Sequence, residues 1–373
     1  MPMTQNYNTY KEILQQPRVW IKTLDYVRAH KQEIQAFTEK YLKENYEIVL
    51  TGAGTSAYIG DALEPALFTT RFKDARALAT TDIITNPEMF FDKDSKVLLV
   101  SFARSGNSPE SVGAVRAVEK TAGKVAHIFI TCNKDGELAR TKGDNILCLL
   151  LPPETNDLSL AMTSSYSTML LCCSMIANIG QIEEDAPYIR EVASCVEKAM
   201  ARYEEAIEEL ASRSFNRAVF LGSGPLKGVA EECRLKLQEL TDGAVMCAYD
   251  SFLGFRHGPK AVVKEDTLLV YLVSPIPEVR RYELDLIRQV KANNNVVGTL
   301  VVGFRKPELE ESDYDLCVET GINPTVPACY GCVSYVFVGQ MLGMFKSIDM
   351  GLCPDSPSVS GNISRVVEGV TLY

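Results

Sequence analysis

Two stretches of this 373-residue chain decide its fold: EIVLTGAGTSAYIGDALEPAL at residues 47–67 and AVFLGSGPLKGVAEECRLKLQEL at residues 218–240. In each, an apolar run leads into a G-x-G turn and then into a stretch with helical periodicity. This pattern indicates a strand, a tight turn and a helix. The turns begin at Gly52 and Gly222, which lie 170 positions apart. A duplicated unit of this kind predicts two similar α/β domains.

The same spacing continues on either side of the two turns. The apolar runs at 97–102 and 268–273 are offset by 171 positions. The runs at 126–131 and 298–302 have the same offset to within a residue or so. Short apolar runs that alternate with helical patterns indicate parallel strands covered by helices. The expected fold is therefore α/β, with two tandem, doubly wound parallel sheets.

Length and pattern together predict three parts, because 373 residues exceed what one hydrophobic core usually serves. Residues 1–45 have helical periodicity and are expected to form an arm packed on the first domain. The first domain is expected at 46–200 and the second at 201–373, where a tail rich in proline and small polar residues follows residue 354. A long amphipathic helix at 187–212 is expected to connect them stiffly.

Composition excludes several classes of function. The net charge is −10 and the pI is near 5.1, which disfavours binding to nucleic acid or to an anionic membrane. Apolar stretches such as 169–179 and 333–345 fall short of the ~20 residues of a membrane span. The cysteines are scattered through apolar segments, as expected for reduced thiols in the cytoplasm. The C-x-x-C at 329–332 begins an apolar helix and is expected to pack in the core.

The segment SFARSGNSPES at 101–111 follows a predicted strand and precedes a predicted helix. Hydroxyl groups and free backbone N–H groups at such a junction suit a phosphate, because the helix dipole is positive there. Arg104, Ser105 and Ser108 are the candidate ligands. The alternative is an ordinary helix cap by Ser105 or Ser108, with Pro109 in the first turn.

Two nucleotide-binding motifs are disfavoured. The turn at Gly52 could be read as G-x-G-x-x-A, but no acidic residue ends a second strand at the distance that a ribose contact requires, and Thr55 and Ser56 crowd the turn. The chain has no G-x-x-x-x-G-K-[ST] motif. We therefore expect no nucleotide cofactor, and histidine and cysteine show no metal-ligand spacing either.

Only the second copy of the repeat carries closely spaced ionisable residues. Lys236 and Glu239 lie three apart and hence on one helix face, beside leucines that indicate partial burial. The pair could serve acid/base chemistry, or it could be a solvated surface ion pair. His257 lies in the loop GFRHGPK, whereas the other two histidines lie in the arm and in a strand. An imidazole there could move protons at neutral pH.

These motifs together resemble the sugar isomerase (SIS) domain family, whose domains have the flavodoxin-like fold, over nearly the whole chain. T-G-A-G-T-S, S-F-A-R-S-G-N-S-P-E-S, P-P-E-T, A-M-T-S-S and Y-D-S-F-L-G-F-R-H-G-P-K are similar to the tandem-domain group of tagatose-6-phosphate ketose/aldose isomerases and galactosamine-6-phosphate deaminases. The isomerase half of glucosamine-6-phosphate synthase is a further relative.

The resemblance implies a role for each matching residue. Ser56, Ser105 and Ser108 are expected to contact the sugar phosphate, with Arg104 at the position of a glutamine in the synthase. The serine that begins the synthase loop is replaced by Ala103. The remaining residues implied for the substrate pocket are Gly54, Thr55, Thr163 and Arg365; the lysine near the C-terminus of the synthase falls at Ser364 or Arg365.

For the chemistry, the resemblance implies that Glu239 moves a proton between C1 and C2 of the sugar. Lys236 is expected to assist, and His257 to open the sugar ring from the neighbouring subunit of a homodimer. Two more residues separate Glu239 from His257 than in the synthase.

The synthase draws ammonia from an N-terminal glutaminase domain, where this chain has about 45 residues. Deamination of galactosamine 6-phosphate to tagatose 6-phosphate and ammonia is therefore the expected activity. The alternatives are isomerisation without deamination, or a non-catalytic sugar-phosphate sensor. The galacto or gluco configuration of the substrate stays open.

Overall fold

The computed structural model describes residues 4–293, 295–366 and 369–372. These residues form two compact units, which we name after their sheets. The first-sheet unit comprises residues 18–157, 162–190, 365–366 and 369–372; the second-sheet unit comprises residues 4–17, 158–161, 191–293 and 295–364.

All strands of the first sheet are parallel. They are β1 (Glu47–Thr51), β2 (Arg76–Ala77), β3 (Lys96–Ala103), β4 (Lys124–Thr131) and β5 (Ile146–Leu150). Their order is β2-β1-β3-β4-β5, so the direction of winding reverses between β1 and β3. Ligands of open α/β sheets bind at the carboxyl ends of the strands beside such a reversal.

The second sheet repeats this arrangement with five more parallel strands. They are β6 (Arg217–Gly222), β7 (Met246–Asp250), β8 (Thr267–Leu272), β9 (Gly298–Gly303) and β10 (Leu316–Glu319). The order β7-β6-β8-β9-β10 corresponds strand for strand to that of the first sheet. The predicted fold class, two doubly wound parallel α/β sheets, is confirmed.

Helices flank the strands and precede the first sheet. They are α1 (Asn8–Leu14), α2 (Gln16–Ala29), α3 (Lys31–Lys43), α4 (Thr55–Ala66), α5 (Thr80–Thr85), α6 (Pro109–Thr121), α7 (Glu137–Arg140), α8 (Ser164–Ala177), α9 (Ile182–Ala211), α10 (Pro225–Leu240), α11 (Phe252–Phe255), α12 (Pro277–Asn293), α13 (Ala328–Gly331) and α14 (Val336–Asp349). The long connecting helix predicted from residue 187 is α9, which begins five residues earlier.

The two G-x-G turns have the same backbone conformation. Gly54 has φ 54° and ψ −128°, and Gly224 has φ 56° and ψ −127°, a region in which residues with a side chain are strongly disfavoured. A Cβ atom at Gly52 would lie 2.5 Å from the backbone of Ser56, and one at Gly222 would lie 2.1 Å from the carbonyl oxygen of Leu226. Each helix therefore starts in direct contact with the strand before it.

Helix α10 is held against α14 by two glycines, four residues apart on α14. A Cβ atom at Gly339 would lie 2.5 Å from Cβ of Cys233, and one at Gly343 would lie 3.0 Å from the carbonyl oxygen of Lys236. Their missing side chains let the helix backbones approach closely, and interiors this dense do not absorb an added methyl group without strain. The packing fixes the position of α10 in the second-sheet unit.

The N-terminal arm is divided between the two units, because residues 18–45 belong to the first-sheet unit and the residues before them do not. The backbone N–H groups of Asn8 and Thr9, at the start of α1, donate to the Asp355 carboxylate at 2.9 and 2.8 Å. This carboxylate satisfies N–H groups that lack partners within the helix. Residues 4–17 therefore belong to the second-sheet unit, which differs from the arm and the domain boundaries expected from sequence.

The helical stretch Ala328–Asp349 is long and apolar enough to cross a membrane, but 94% of its most apolar window is buried in the protein. At 22 residues it exceeds the length expected from the apolar run at 333–345 alone, because α13 and a 3-10 turn precede α14. Cys329 and Cys332 are buried within it, which confirms the prediction of core packing for the C-x-x-C motif.

Candidate functional site

The loop at residues 104–108 joins β3 to α6 at the reversal point of the first sheet. We call it the serine loop. It borders an open cavity of about 430 Å³. The cavity is lined by Ser105, Asn107, Pro109, Asn133, Asn156, Arg365, Val366 and Gly369. Of the residues predicted from sequence to bind substrate, Ser105 and Arg365 thus line one cavity.

Ser108 is the N-cap of α6, and Pro109 occupies the first helical position. The Ser108 hydroxyl accepts a hydrogen bond from the N–H of Ser111 at 3.2 Å and donates one to the Ser111 hydroxyl at 2.7 Å. The capping alternative considered for this residue is therefore confirmed. Within the described part of the chain, no residue accepts a hydrogen bond from the backbone N–H groups of Gly106 or Ser108. These donors lie where a helix favours an anion.

Arg104 and Arg365 meet at the edge of the cavity. Arg104 is buried, and its guanidinium donates to the carbonyl oxygen of Arg365 at 2.5 Å. The guanidinium of Arg365 donates in turn to the carbonyl oxygen of Asp157 at 2.9 Å and to the side chain of Asn156 at 3.1 Å. Arg365, the tail residue predicted from sequence, is thus held beside the serine loop by hydrogen bonds.

The Asp157 carboxylate organises the start of α8. It accepts hydrogen bonds from the N–H groups of Thr163 and Ser165, both at 2.9 Å, and from the hydroxyls of Thr163, Ser164 and Ser165. All four residues are buried. Thr163, predicted to line the substrate pocket, is therefore bound to an internal carboxylate. This carboxylate caps the helix from six residues before Thr163, outside the positions at which a sequence motif for a cap would be sought.

Gly54, Thr55 and Ser56 form the start of α4 and do not line the 430 Å³ cavity. Thr55 and Ser56 are buried, and the carbonyl oxygen of Gly54 accepts from the N–H groups of residues 57 and 58. These three residues lie after β1, next to β3 in the sheet. Their predicted contact with the substrate stays a prediction.

Helix α10 brings three charged residues onto one face. The Lys236 ammonium lies 2.7 Å from Glu239 and 3.3 Å from Glu232. The side chains of Lys236 and Glu232 are inaccessible to solvent, whereas 23% of the Glu239 side chain is exposed. The pair predicted from sequence is therefore a buried one, and the reading as a solvated surface ion pair was wrong for the lysine.

The charge state of Lys236 follows from these neighbours. Burial disfavours the ammonium, but the nearby carboxylates of Glu232 and Glu239 favour it more strongly, so that the pKa of Lys236 is raised above its usual value. The residue carries a positive charge in a site closed to water. A buried ion pair depends on both partners, because removal of one leaves an uncompensated charge.

Sequence analysis missed Glu232, although its signal was available. Positions 232, 236 and 239 are spaced i, i+4 and i+7, which places them on one face of a helix.

His257 follows α11 in an exposed turn. Its backbone N–H donates to the carbonyl oxygen of Gly254 at 2.9 Å, and Gly258 has φ 119°, which a residue with a side chain rarely adopts. Within residues 4–293, 295–366 and 369–372, nothing hydrogen-bonds to the imidazole. The backbone of the turn thus places the imidazole at the surface, and no hydrogen bond from the described residues orients the ring.

The second sheet has its own crevice at the corresponding reversal, between β6 and β8. A cavity of about 330 Å³ there is lined by residues that include Ser223, Phe252, Glu278 and Tyr282. Behind it, the buried Glu283 carboxylate accepts the N–H of Ser274 at 2.7 Å. Burial raises the pKa of the Glu283 carboxyl to about 7, against the opposing effect of Ser223 and Ser274. This buried acid was also missed from sequence.

Among the residues that the structure describes, no group of three or more His, Cys, Asp or Glu side chains is placed to hold a metal ion.

The fold and these two sites define a class of protein. The SIS domain profile matches residues 40–179 and 212–344, which is more than half of the chain. The protein belongs to the SIS domain family.

Individual relatives are similar over nearly the whole chain. The D-galactosamine-6-phosphate deaminase AgaS of Escherichia coli is 38% identical over 98% of this chain and 95% of its own length. AgaS of Shewanella sp. strain ANA-3 is 36% identical over 98% of this chain and 91% of its own length. The crystal structure of tagatose-6-phosphate ketose/aldose isomerase from Escherichia coli matches with a TM-score of 0.89, 34% identity, and coverage of 99% and 97%. The relatives are thus named sugar-phosphate deaminases and isomerases.

The raised pKa of Glu283 predicts a pH-dependent stability. In the unfolded chain the carboxyl loses its proton near 4.5, whereas in the folded protein it keeps it up to about pH 7. The stabilisation is complete below pH 4.5 and is lost as the pH rises towards 7, because only the unfolded chain ionises in that window. Relative to Glu283→Gln, the wild type should lose about 2–3 kcal/mol of unfolding free energy between pH 5 and 7.5. Urea unfolding at the two pH values measures this.

Glu278→Gln, an exposed substitution of the same kind on the same helix, is the control and should show no such difference. If the unfolding free energies of the wild type and of Glu283→Gln changed with pH to the same extent, the raised pKa of Glu283 would be contradicted.

Proposed function

We propose that this protein is an amino-sugar-phosphate deaminase that converts galactosamine 6-phosphate and water to tagatose 6-phosphate and ammonia. The observation that carries the proposal is the partly exposed Glu239 carboxylate, held at 2.7 Å by a buried, charged Lys236. The chain is also similar over almost its whole length to a protein named for this activity.

The phosphate group is bound by the serine loop. The N–H groups of Gly106 and Ser108, which have no acceptor among the described residues, and the hydroxyl of Ser105 supply the donors. Arg104 and Ser56 complete the set that we assign. Several donors at a helix N-terminus can bind a phosphate in an acidic protein, because each interaction is local. Arg365 adds positive charge at the same cavity.

In the proposed mechanism, Glu239 is the base that transfers a proton from C2 to C1. His257 moves a proton between O1 and O5 as the ring opens, which leaves an aldehyde at C1 and the amine at C2. Glu239 removes the C2 proton to form an enolamine and returns the proton to C1, which gives a ketimine at C2. Water adds to C2 and ammonia leaves. Lys236 stabilises the charge that develops on the enol oxygen.

A second candidate is isomerisation without loss of nitrogen. It is favoured by the similarity to the Escherichia coli structure named tagatose-6-phosphate ketose/aldose isomerase. The same proton transfer between C1 and C2 serves both reactions, so the residues do not discriminate between them. The difference lies in the substituent at C2, an amine in one case and an oxygen in the other.

We expect the protein to act in the cytoplasm as a homodimer, on a small-molecule substrate and without nucleic acid or membrane.

An assay with several substrates tests the reaction. We expect stoichiometric release of ammonia from galactosamine 6-phosphate, together with formation of tagatose 6-phosphate, and slower turnover of glucosamine 6-phosphate. Ammonia is measured by a coupled dehydrogenase assay and the ketose by chromatography. Interconversion of tagatose 6-phosphate with galactose 6-phosphate, without ammonia release from any amino sugar phosphate, would instead support the isomerase.

Glu239→Gln keeps the shape of the side chain and removes the base. We expect kcat for ammonia release to fall about 10²- to 10⁴-fold while the substrate still binds. Steady-state kinetics and calorimetric titration with galactosamine 6-phosphate measure the two effects. The matched control is Glu231→Gln on another face of the same helix, which should retain turnover. Wild-type turnover in Glu239→Gln would remove this residue from the mechanism.

The exposed position of His257 allows a test of the homodimer. If His257 serves the site of its partner, a mixed dimer of His257→Asn and Glu239→Gln chains has one site with both changes and one with neither. Random mixing should then restore about a quarter of the wild-type activity, because half of the dimers are mixed and each has one intact site. Co-expression with two affinity tags and an ammonia assay measure it.

If mixed dimers are isolated and stay inactive, His257 and Glu239 act within one chain's site. If the His257→Asn homodimer itself keeps wild-type activity, His257 has no role in the reaction.

A further inference from the structure

The turn at residues 133–138, which follows β4 and includes the first residues of α7, binds the serine loop through three hydrogen bonds. The side-chain amide of Asn133 donates to the carbonyl oxygen of Ser105 at 2.9 Å. The N–H of Leu138 donates to the carbonyl oxygen of Gly106 at 3.2 Å, and the N–H of Glu137 donates to the side-chain oxygen of Asn107 at 2.8 Å. Three successive residues of the loop are thus each fastened to this turn.

The contact is also sterically close. A Cβ atom at Gly136 would lie 2.4 Å from the carbonyl oxygen of Ser105, and Gly106 has φ 64°. Each position therefore favours glycine, one for space and one for backbone conformation. The fit leaves the peptide between Ser105 and Gly106 little freedom to rotate.

The bond from Asn133 has a consequence for the opposite side of that peptide. A trans peptide is planar, so its C=O and N–H groups point in opposite directions. When Asn133 fixes the carbonyl group of Ser105, it also fixes the direction of the N–H of Gly106. That N–H has no acceptor in the part of the chain that the structure describes, and a peptide flip would exchange it for a carbonyl oxygen. A carbonyl oxygen there would repel a phosphate.

We propose that Asn133 is a positioning residue for the substrate phosphate: its amide holds the Ser105–Gly106 peptide so that the N–H of Gly106 is available to the anion. The proposal rests on the proposed function of the serine loop. Asn133 itself lines the cavity, but its amide is bound to the loop, and nothing in the sequence motif of residues 101–111 indicates its role.

Asn145 provides a matched control in the same unit. Its side-chain amide donates to the carbonyl oxygen of Val125 at 3.0 Å, a bond of the same type and length as that of Asn133. Both asparagines are partly buried. Asn145 precedes β5 and contacts the amino-terminal end of β4, whereas Asn133 follows the carboxyl end of the same strand. A loss of stability alone should appear in both variants.

We expect Asn133→Ala to raise KM for galactosamine 6-phosphate about 10-fold and to leave kcat within about 2-fold, because a binding donor is misaligned and the base is untouched. Competitive inhibition by inorganic phosphate should weaken by a similar factor. Asn133→Asp should raise KM about 100-fold, because it replaces the donor with a negative charge beside the anion. Asn145→Ala should change neither constant.

A KM and a phosphate inhibition constant for Asn133→Ala that match those of Asn145→Ala would overturn the proposal. So would an equal loss of kcat in Asn133→Ala and Asn133→Asp with KM unchanged, since this would place the residue in the chemistry. If the wild type released no ammonia, the proposed function would fail separately. Calorimetric titration of the same variants with inorganic phosphate would then decide the role of Asn133.

Discussion

The rest of the structure depends on the close approach of a helix to the strand before it, which occurs once in each unit. At Gly52 and Gly222 no side chain fits, because its first carbon would collide with the backbone of the following helix. This contact sets where α4 and α10 begin and therefore which faces they turn inward. On α10 the resulting register buries Lys236 and leaves Glu239 at the edge of the protein interior. A side chain at either glycine would shift the whole helix that follows.

The same framework is used differently in the two units. At the reversal point of the first sheet, N–H groups of the serine loop have no acceptor among the described residues, so the helix dipole there is available to an anion. At the corresponding point of the second sheet, the N–H of Ser274 is bound by the Glu283 carboxylate. In the second unit, a carboxylate of the protein itself thus lies beside the end of the strand that corresponds to β3. The proposed phosphate site accordingly lies in one copy of the repeat, and the charged side chains of α10 distinguish the other.

Sequence was sufficient where a pattern is local. The two sheets, helix α6 and the shared face of Lys236 and Glu239 follow from apolar runs, turn residues and helical spacing, and the structure has all of them. Sequence was insufficient where a contact joins distant segments. Asn133 reaches the serine loop from 28 positions away, and Asp355 binds the start of α1 from 346 positions away. Neither residue belongs to a motif, because an asparagine in a turn and an aspartate in a tail have many ordinary uses.

Burial distinguishes the three charged residues of α10 more sharply than their spacing does. Glu232 and Lys236 have no access to solvent, so neither can exchange a proton with a substrate without opening the packing against α14. The nearby carboxylates favour the protonated form of the lysine, which makes it an anchor of positive charge. Glu239 is the one member of the three that is both bound to this charge and partly exposed. Burial on the helix therefore leaves Glu239 as the member of the three that is open to a ligand, which is why the proposed mechanism assigns the proton transfer to it.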